Sequence, residues 1–217
     1  MSLALITIGQ APREDVVASM FGTLNTPITE YGALDLLGVD DIATLAPTLT
    51  DMPLVTRLRS GDEVVVGKHA LMPHMQAAVD RAVADGATTV AILCTGAFPT
   101  LESPVPCVYP DTVVSAVVGA LLPSGTLGVV IPHVGQQRGM CEKWSTDVRS
   151  VNLAVASPYT AAESMPTAVR SLGRCDLIVL DCMGYDRHML AMARAASAVP
   201  VLLSNGVMGA ILRELVG

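Results

Sequence analysis

The sequence contains few aromatic residues and no long hydrophobic run. Aromatic side chains make up 3% of the 217 residues, whereas hydrophobic residues make up 51%. The core must therefore be built from Ala, Val, Leu, Ile and Met, which is typical of α/β proteins whose parallel strands are covered on both faces. Gly, Pro or a charge interrupts every apolar stretch before it reaches the length of a membrane span, so we expect no membrane partner.

Clustered positive charge is also missing. The formal net charge is −7 and no basic run occurs, which argues against a nucleic-acid partner because phosphate attraction needs clustered Lys and Arg. The first residues, MSLALITIGQ, lack the positive segment and cleavage site of a signal peptide, so we predict a first strand and a cytoplasmic location. A small anionic substrate remains compatible, because local hydrogen-bond donors rather than net charge bind it.

The five cysteines do not form a recognisable metal-binding or disulfide pattern. They are scattered along the chain and contain no C-x-x-C pair. We therefore expect neither a disulfide framework nor a site for zinc or another metal. We interpret Cys107, Cys141 and Cys175 as structural. The remaining two, Cys94 and Cys182, have a context of their own.

Short apolar runs alternate with longer amphipathic runs along most of the chain. Such alternation predicts βαβ units and a mainly parallel sheet. Residues 27–67 are the least regular part, and we expect a hairpin insertion there. Strands are predicted over 3–8, 62–67, 88–94, 105–110, 127–132, 150–156, 176–182 and 199–204, and helices over 72–86, 111–123, 136–147, 160–173, 187–197 and the C-terminal stretch.

A weak internal duplication suggests two related lobes. LALITIGQAPR (3–13) resembles LGVVIPHVGQQR (127–138), and TTVAILCTGAF (88–98) resembles CDLIVLDCMGY (175–185), in the same order. We therefore predict an α/β fold of two pseudo-symmetric lobes with mainly parallel sheets and an active-site cleft between them.

In the second duplicated pair, each segment contains a predicted strand followed by a cysteine, any residue and a glycine. In open α/β sheets ligands bind beyond the carboxyl ends of strands, so Cys94 and Cys182 could flank one cleft from opposite sides. We expect helix N-termini beside them to favour the thiolate, and Gly96 and Gly184 to let the backbone approach a ligand. One thiolate could remove a proton from a carbon while the other thiol returns one to the opposite face.

A structural explanation of the cysteines remains open, because a free Cys often serves as a small buried hydrophobe. Asp181 precedes Cys182 on a predicted strand and should point to the other face, so we do not predict it to be a catalytic base.

Other candidate binding residues follow the predicted strands. Arg13 could pair with a carboxylate, although a solvated Arg13 after a helix-starting Pro12 is an equal alternative, and Asn205 could instead cap a helix. The candidates for substrate binding are Gly9, Gln10, Arg13, Thr95, Gly96, Pro132, His133, Met183, Gly184, Tyr185, Ser204 and Asn205.

Three stretches together resemble the AroM family: TIGQAPRED (7–15), LDCMGYDRHM (180–189) and VPVLLSNGVMGAIL (199–212). The AroM family in turn resembles the aspartate/glutamate/hydantoin racemase superfamily. That resemblance implies a catalytic cysteine from each lobe, matching Cys94 and Cys182, and no cofactor. It also implies that the C-terminal segment completes the first lobe, so we expect lobes of 1–108 with 200–217, and of 109–199.

The resemblance has departures that bear on the substrate. Amino-acid racemases of this superfamily usually follow the first cysteine with Asn-Thr, whereas this chain has Thr95-Gly96. The second cysteine is followed by Met183-Gly184, which is nearer the hydantoin-racemase pattern. These departures argue against aspartate or glutamate as the substrate.

The expected function is a cofactor-independent, racemase-like isomerase that acts on a small anionic or carbonyl-containing metabolite. Two alternatives remain open: a non-catalytic binding or regulatory protein on the same scaffold, and a decarboxylase or cis–trans isomerase that needs only one cysteine. The sequence leaves the oligomeric state open, with a homodimer among the options.

Overall fold

The computed structural model describes residues 1–22, 27–145 and 148–216. The first half contains an α/β unit into which a hairpin is inserted. Its elements are β1 (Leu3–Thr7), α1 (Glu14–Phe21), β2 (Ile28–Gly32), α2 (Val39–Thr44), β3 (Pro53–Arg57), β4 (Glu63–Gly67), α3 (Lys68–Ala84), β5 (Thr89–Ile92) and β6 (Cys107–Val108).

The second half repeats the alternation of strand and helix. Its elements are α4 (Pro110–Leu121), β7 (Thr126–Ile131), a 3₁₀ turn (Val134–Gln136), α5 (Gln137–Trp144), β8 (Ser150–Val155), a second 3₁₀ turn (Ala162–Ser164), α6 (Met165–Ser171), β9 (Leu177–Leu180), α7 (Arg187–Ala195), β10 (Val201–Leu203) and α8 (Ser204–Val216). Pro166 stands in the first turn of α6, where its missing N–H costs no helical hydrogen bond.

The two large sheets have the same topology. The first has the strand order β2-β1-β5-β6 and the second the order β10-β9-β7-β8, and every pairing in both is parallel. When the second sheet is read from its opposite edge, its strands follow in the order β8, β7, β9 and β10. These strands correspond in position to β2, β1, β5 and β6 of the first sheet. The two-lobed α/β fold with mainly parallel sheets is therefore confirmed, and the weak duplication in the sequence corresponds to it.

Helices cover both faces of the first sheet, which is why its central strands are buried at every position and almost entirely apolar. All residues of β1 and β5 are buried, as expected for parallel strands with two covered faces. Leu3 and Leu5 pack towards α1 and α8, while Ala4 and Ile6 pack towards α3. The side chains are almost all aliphatic, in agreement with the low aromatic content.

The C-terminal segment is divided between the two lobes. β10 pairs with β9 in the second sheet, whereas α8 packs against α1 and α4. Gly209 of α8 lies so close to the backbone of Met20 that a side chain there would collide with it. The division expected at residue 200 therefore differs from the observed sheets, because only the helix after β10 returns to the first lobe.

The irregular part of the first half contains the expected hairpin. β3 and β4 pair antiparallel, with Val55 opposite Val65. The hairpin contacts both lobes, because the amide of Gln10 donates to the carbonyl of Arg57 at 3.4 Å and the side chain of Gln136 donates to the carbonyl of Pro53 at 3.1 Å. In the parts of the chain that the structure describes, no helix has the length and hydropathy needed to cross a bilayer.

Candidate active site

The two cysteines occupy equivalent positions in the two lobes. Cys94 lies just after the end of β5, and Cys182 lies just after the end of β9. In each sheet that strand neighbours the first strand of its lobe, which is the point where the chain order reverses. Open α/β sheets bind ligands at the carboxyl ends of the strands at such a point. The topology therefore brings both thiols to one crevice.

Both cysteines line one small cavity whose wall includes residues of both lobes and of the hairpin. Its volume is about 30 Å³, which is room for about one water molecule. A substrate can enter only if part of the wall moves. Of the other residues predicted from the sequence, the lining also contains Arg13, Thr95, Gly96, Pro132, Met183 and Gly184.

The glycine of each C-x-G motif holds the cysteine through its backbone amide. The amide of Gly96 donates to Sγ of Cys94 at 3.4 Å, and the amide of Gly184 donates to Sγ of Cys182 at the same distance. A hydrogen bond donated to sulfur stabilises the thiolate more than the thiol. The two motifs are thus equivalent in geometry as well as in sequence.

Burial nevertheless raises the pKa of both thiols, to about 12 for Cys94 and about 11 for Cys182. The hydrogen bonds from the glycine amides lower these pKa values, but burial outweighs them. The expectation that helix N-termini lower these pKa values is wrong. The structure describes the whole stretch from Cys94 to β6 and contains no helix there, and α7 begins only at Arg187, beyond the loop that follows Cys182. In this closed state both groups are therefore protonated near neutral pH.

Arg13 is the cation in the cavity lining, and its side chain is buried. Its Nε and Nη2 donate to the Asp15 carboxylate at 2.9 and 2.8 Å, and Nη2 also donates to the hydroxyl of Tyr159 at 3.2 Å. Burial alone would raise the pKa of Asp15, but hydrogen bonds and charge from Arg13 outweigh it and lower the pKa. Arg13 is thus held in a fixed orientation rather than solvated.

Asp181 also lines the cavity, and its side chain points to the face opposite Cys182, as the sequence pattern predicts. The Asp181 amide still donates to the carbonyl of Val130 in β7. The Asp181 side chain meets Trp144, in the cluster that contains Val179, whereas Cys182 packs with Leu180 on the other face. Its carboxylate is fully buried and accepts hydrogen bonds from Lys143 Nζ at 2.9 Å and from Trp144 Nε1 at 2.9 Å. The charge of this carboxylate is therefore balanced inside the protein.

The loop after β1 lies beside the cavity, but two of its predicted residues have other partners. Gly9 packs so closely on Thr56 that a Cβ would collide with it. The side chain of Gln10 donates to the carbonyl of Leu34 at 3.3 Å and accepts from the amide of Arg59 at 2.9 Å. These two residues join β1 to the hairpin and lie outside the cavity lining.

His133 and Tyr185 also lie outside the lining. Nδ1 of His133 accepts from the amide of Gly135 at 3.1 Å, which caps the 3₁₀ turn after β7. The hydroxyl of Tyr185 is fully buried and donates to the carbonyl of Ala156 at 2.8 Å. Both side chains therefore stabilise loops next to the site.

Ser204 and Asn205 begin α8 and are completely buried behind the loop that carries Cys182. The side-chain nitrogen Nδ2 of Asn205 donates to the backbone carbonyl of Met183 at 3.1 Å and also to that of Tyr185. Asn205 is thus neither a cavity residue nor a helix cap. It supports the backbone around Gly184 from behind.

Several lining residues were not predicted from the sequence. Tyr159 follows the end of β8, and the rule that ligands bind at carboxyl ends of strands could have identified it. Thr56 comes from β3, and its buried hydroxyl has no hydrogen-bond partner among the described residues. No sequence signal marks Thr56, because its position depends on how the hairpin folds over the crevice.

The described residues contain no group of three or more His, Cys, Asp and Glu side chains that could hold a metal ion. The cavity does combine two thiols with Asp181, but that carboxylate is already paired with Lys143.

The profile of the AroM protein family matches residues 3–216. The chain belongs to the AroM family. This match confirms the resemblance in the three stretches around Thr7, Cys182 and Ser204. A search of curated protein sequences finds no match.

Solved structures similar to this AroM-family protein include a decarboxylase, a racemase and an isomerase. Arylmalonate decarboxylase has 14% identity and a TM-score of 0.61 over 100% of this chain and 92% of that chain. Glutamate racemase from Campylobacter jejuni subsp. jejuni has 15% identity and a TM-score of 0.60 over 99% and 86%. Maleate isomerase Iso from Pseudomonas putida S16 has 11% identity and a TM-score of 0.65 over 99% and 92%. At these identities the likeness establishes the racemase-like scaffold, not the activity.

Proposed function

We propose that this AroM-family protein moves protons at a carbon atom next to a carboxylate or carbonyl group of a small metabolite, without a cofactor. Cys94 and Cys182 form the acid/base pair. The observation that carries the proposal is that both thiols line one cavity, each accepting a hydrogen bond from the glycine two residues further on.

The two thiols need to share a single negative charge. One cysteine as thiolate takes the proton from the substrate carbon, and the C–H electron pair stays on the substrate as an enolate. The other cysteine then gives its proton to the opposite face of that carbon and becomes the thiolate. The number of protons on protein and substrate is unchanged, so no co-reactant is consumed.

The polar lining supports a substrate that carries one carboxylate. Arg13 brings a buried guanidinium, whose Nη1 is used neither by Asp15 nor by Tyr159 and can donate to a substrate carboxylate. Thr56 brings a buried hydroxyl without a partner among the described residues, and such a group is normally satisfied by a ligand or water. Ile8, Leu93 and Met183 make the rest of the wall apolar, which suits a small apolar substituent.

Opening of the cavity wall supplies the thiolate. In the closed state burial holds the pKa of both thiols high. Opening of the wall admits water and lowers the desolvation penalty on the charged form, so a thiolate forms while the site is open. Closure around the substrate then holds the thiolate next to the carbon whose proton it removes.

The racemase-like scaffold is compatible with a second candidate function, in which only one cysteine is essential. Two of the similar structures are named arylmalonate decarboxylase and maleate isomerase. A decarboxylase would use one thiol to protonate the enolate left by loss of carbon dioxide. An isomerase would add one thiolate to a double bond and later expel it.

The experiment follows exchange of hydrogen for deuterium at carbon 2 of small 2-substituted carboxylic acids in deuterated water, by nuclear magnetic resonance. Wild-type protein should catalyse the exchange in at least one acid, and Cys94→Ala and Cys182→Ala should each slow it strongly, because each turnover uses both thiols. Cys141→Ser is the matched control, because that thiol is exposed and outside the cavity.

The outcome separates the candidates. Loss of turnover in only one cysteine variant would support the one-cysteine reaction instead. Exchange that survives both alanine substitutions would remove the thiols from the mechanism. Ligand-induced stabilisation without exchange, retained in Cys→Ser variants, would favour a binding protein.

A further inference from the structure

One ammonium group connects the two loops that carry the cysteines. Lys143 Nζ donates to the backbone carbonyl of Thr95 at 2.8 Å and to the Asp181 carboxylate at 2.9 and 3.3 Å. Thr95 is the neighbour of Cys94, and Asp181 is the neighbour of Cys182. Lys143 comes from α5, so a residue of the second lobe reaches into the loop of the first.

The connection is buried and has additional hydrogen bonds around it. The side chain of Lys143 is 7% exposed and that of Asp181 is 0% exposed. Trp144 Nε1 also donates to Asp181, and the hydroxyl of Thr95 donates to the backbone carbonyl of Asp181 at 3.1 Å. Low local dielectric strengthens such a network, and every missing member leaves a charge or dipole uncompensated.

The network lies beside the reacting sulfur atoms as well as between their loops. After burial, the groups that act on the pKa of Cys94 include the Gly96 amide, Cys182, Lys143 and Asp181. Lys143 favours the thiolate, whereas Asp181 and Cys182 oppose it. Without the ammonium, the Asp181 charge would act on Cys94 without the cation that opposes it.

We propose that Lys143 is a positioning residue for the two-cysteine site, which ties the loops of Cys94 and Cys182 together and offsets the Asp181 carboxylate beside them. The inference rests on the proposed function in so far as the thiols are the reacting groups. Lys143 acts through Thr95 and Asp181 and does not itself line the cavity.

The test measures alkylation of Cys94 by iodoacetamide at fixed pH, read by peptide mass spectrometry on the whole folded chain. The variants are Lys143→Met, Asp181→Asn and the double variant. Arg138→Met is the matched control, because Arg138 is a cation of the same helix with a 92% exposed side chain. Cys175, at the other end of the second sheet, is the internal reference for reagent activity.

Lys143→Met should slow alkylation of Cys94 by about tenfold, which is the effect of one pKa unit on the thiolate fraction. Asp181→Asn should accelerate it, and Arg138→Met should leave it within about twofold of wild type. A Lys143→Met rate within about twofold of wild type, in folded protein, would overturn the proposal.

A second comparison covers the case in which Lys143→Met fails to fold, because the double variant contains neither charge of the buried pair. In the Asp181→Asn background, adding Lys143→Met removes only the ammonium and should again slow Cys94 by about tenfold. Equal rates in the single Asp181→Asn and the double variant would overturn the proposal. Because alkylation needs no substrate, this result is independent of the deuterium-exchange experiment that tests the proposed function.

Discussion

Tyr159 and Gly184 are in direct contact at the edge of the cysteine cavity. A Cβ built on Gly184 would collide with the hydroxyl of Tyr159 and come within 2.8 Å of its Cζ. The same glycine donates its amide to Cys182. The absence of a side chain at position 184 therefore allows one residue to support the sulfur and to pack against the tyrosine.

Gly184→Ala should destabilise the protein, because Tyr159 or the loop must move to make room for the methyl group. We expect a loss of about 1–3 kcal/mol in the free energy of unfolding, the range typical of overpacking, measured by urea denaturation. The displaced loop should also weaken the amide contact with Cys182 and reduce deuterium exchange into the substrate.

Gly119→Ala is the matched control. Gly119 lies within α4, and a Cβ there would meet nothing within 4 Å. Alanine in a helix interior is favoured over glycine by about 0.5–1 kcal/mol, so this variant should be more stable than wild type. Equal stability of both variants would contradict the close packing of Tyr159 on Gly184.

The free energy of unfolding should decrease as the pH rises from about 9 towards 12. Burial raises the pKa of Cys94 to about 12 and that of Cys182 to about 11, from an ordinary value of 9.0. The unfolded chain therefore loses these protons before the folded protein does, and rising pH favours unfolding in that window. Below pH 9 both states keep the protons and the stabilisation is complete.

A Cys94→Ala/Cys182→Ala double variant should show a shallower decline over that window, measured by urea denaturation at several pH values. Cys141→Ser should keep the wild-type slope, because that thiol is exposed. A wild-type slope in the double variant would contradict the raised pKa values.

Glu63→Ala should open the hairpin over the cavity. Ser157 Oγ donates to the Glu63 carboxylate at 2.6 Å, which joins β4 to the loop after β8. Losing this bond removes about 0.5–1.5 kcal/mol from the closed state. We expect faster alkylation of Cys182, up to about tenfold, and faster amide hydrogen exchange over residues 53–67.

Glu63→Gln is the control for charge. The glutamine carbonyl can still accept from Ser157, while the negative charge near Cys182 is removed in both variants. Alkylation of Cys182 that is equally fast in both variants would show that charge, not the hairpin contact, controls access.

Tyr159→Phe should weaken substrate binding, whereas Tyr185→Phe should not. Removing the Tyr159 hydroxyl takes away an acceptor of Arg13, and hydrogen bonds to charged groups contribute about 1.5–3 kcal/mol. We expect a decrease of about tenfold or more in kcat/KM for exchange. Tyr185→Phe loses a buried bond to Ala156 and should cost about 1 kcal/mol of stability with kcat/KM unchanged. A larger loss of kcat/KM in Tyr185→Phe than in Tyr159→Phe would indicate that the Tyr185 hydroxyl takes part in substrate binding.

Local patterns in the sequence were sufficient for most of the fold. The alternation of apolar strands with amphipathic helices predicted the α/β class, and the repeated C-x-G segments predicted the equivalence of β5 and β9. The start of α3 was misplaced, because Lys68 and His69 follow β4 directly and join the helix. Residues 200–217 were expected in the first lobe, but β10 pairs with β9 in the second sheet. Hydropathy does not specify which sheet a buried strand enters.

The polar part of the site was less predictable. Arg13, Thr95 and Gly96 follow the ends of strands in their own lobe, and the sequence placed them near the cysteines. The alternation along a strand correctly placed the Asp181 side chain on the face opposite Cys182, but no pattern predicted its ion pair with Lys143. Lys143 comes from a helix far along the chain from Thr95, so no spacing in the sequence relates the two.

By itself, the sequence determined the α/β class, the family, and the two thiols with their glycines, because these depend on contacts between residues close together in the chain. The tertiary structure alone decided that the hairpin closes the crevice, that burial raises rather than lowers the pKa of the thiols, and that Lys143 joins their loops. Those properties arise from groups separated by many residues, and their energies depend on distance and on the exclusion of water.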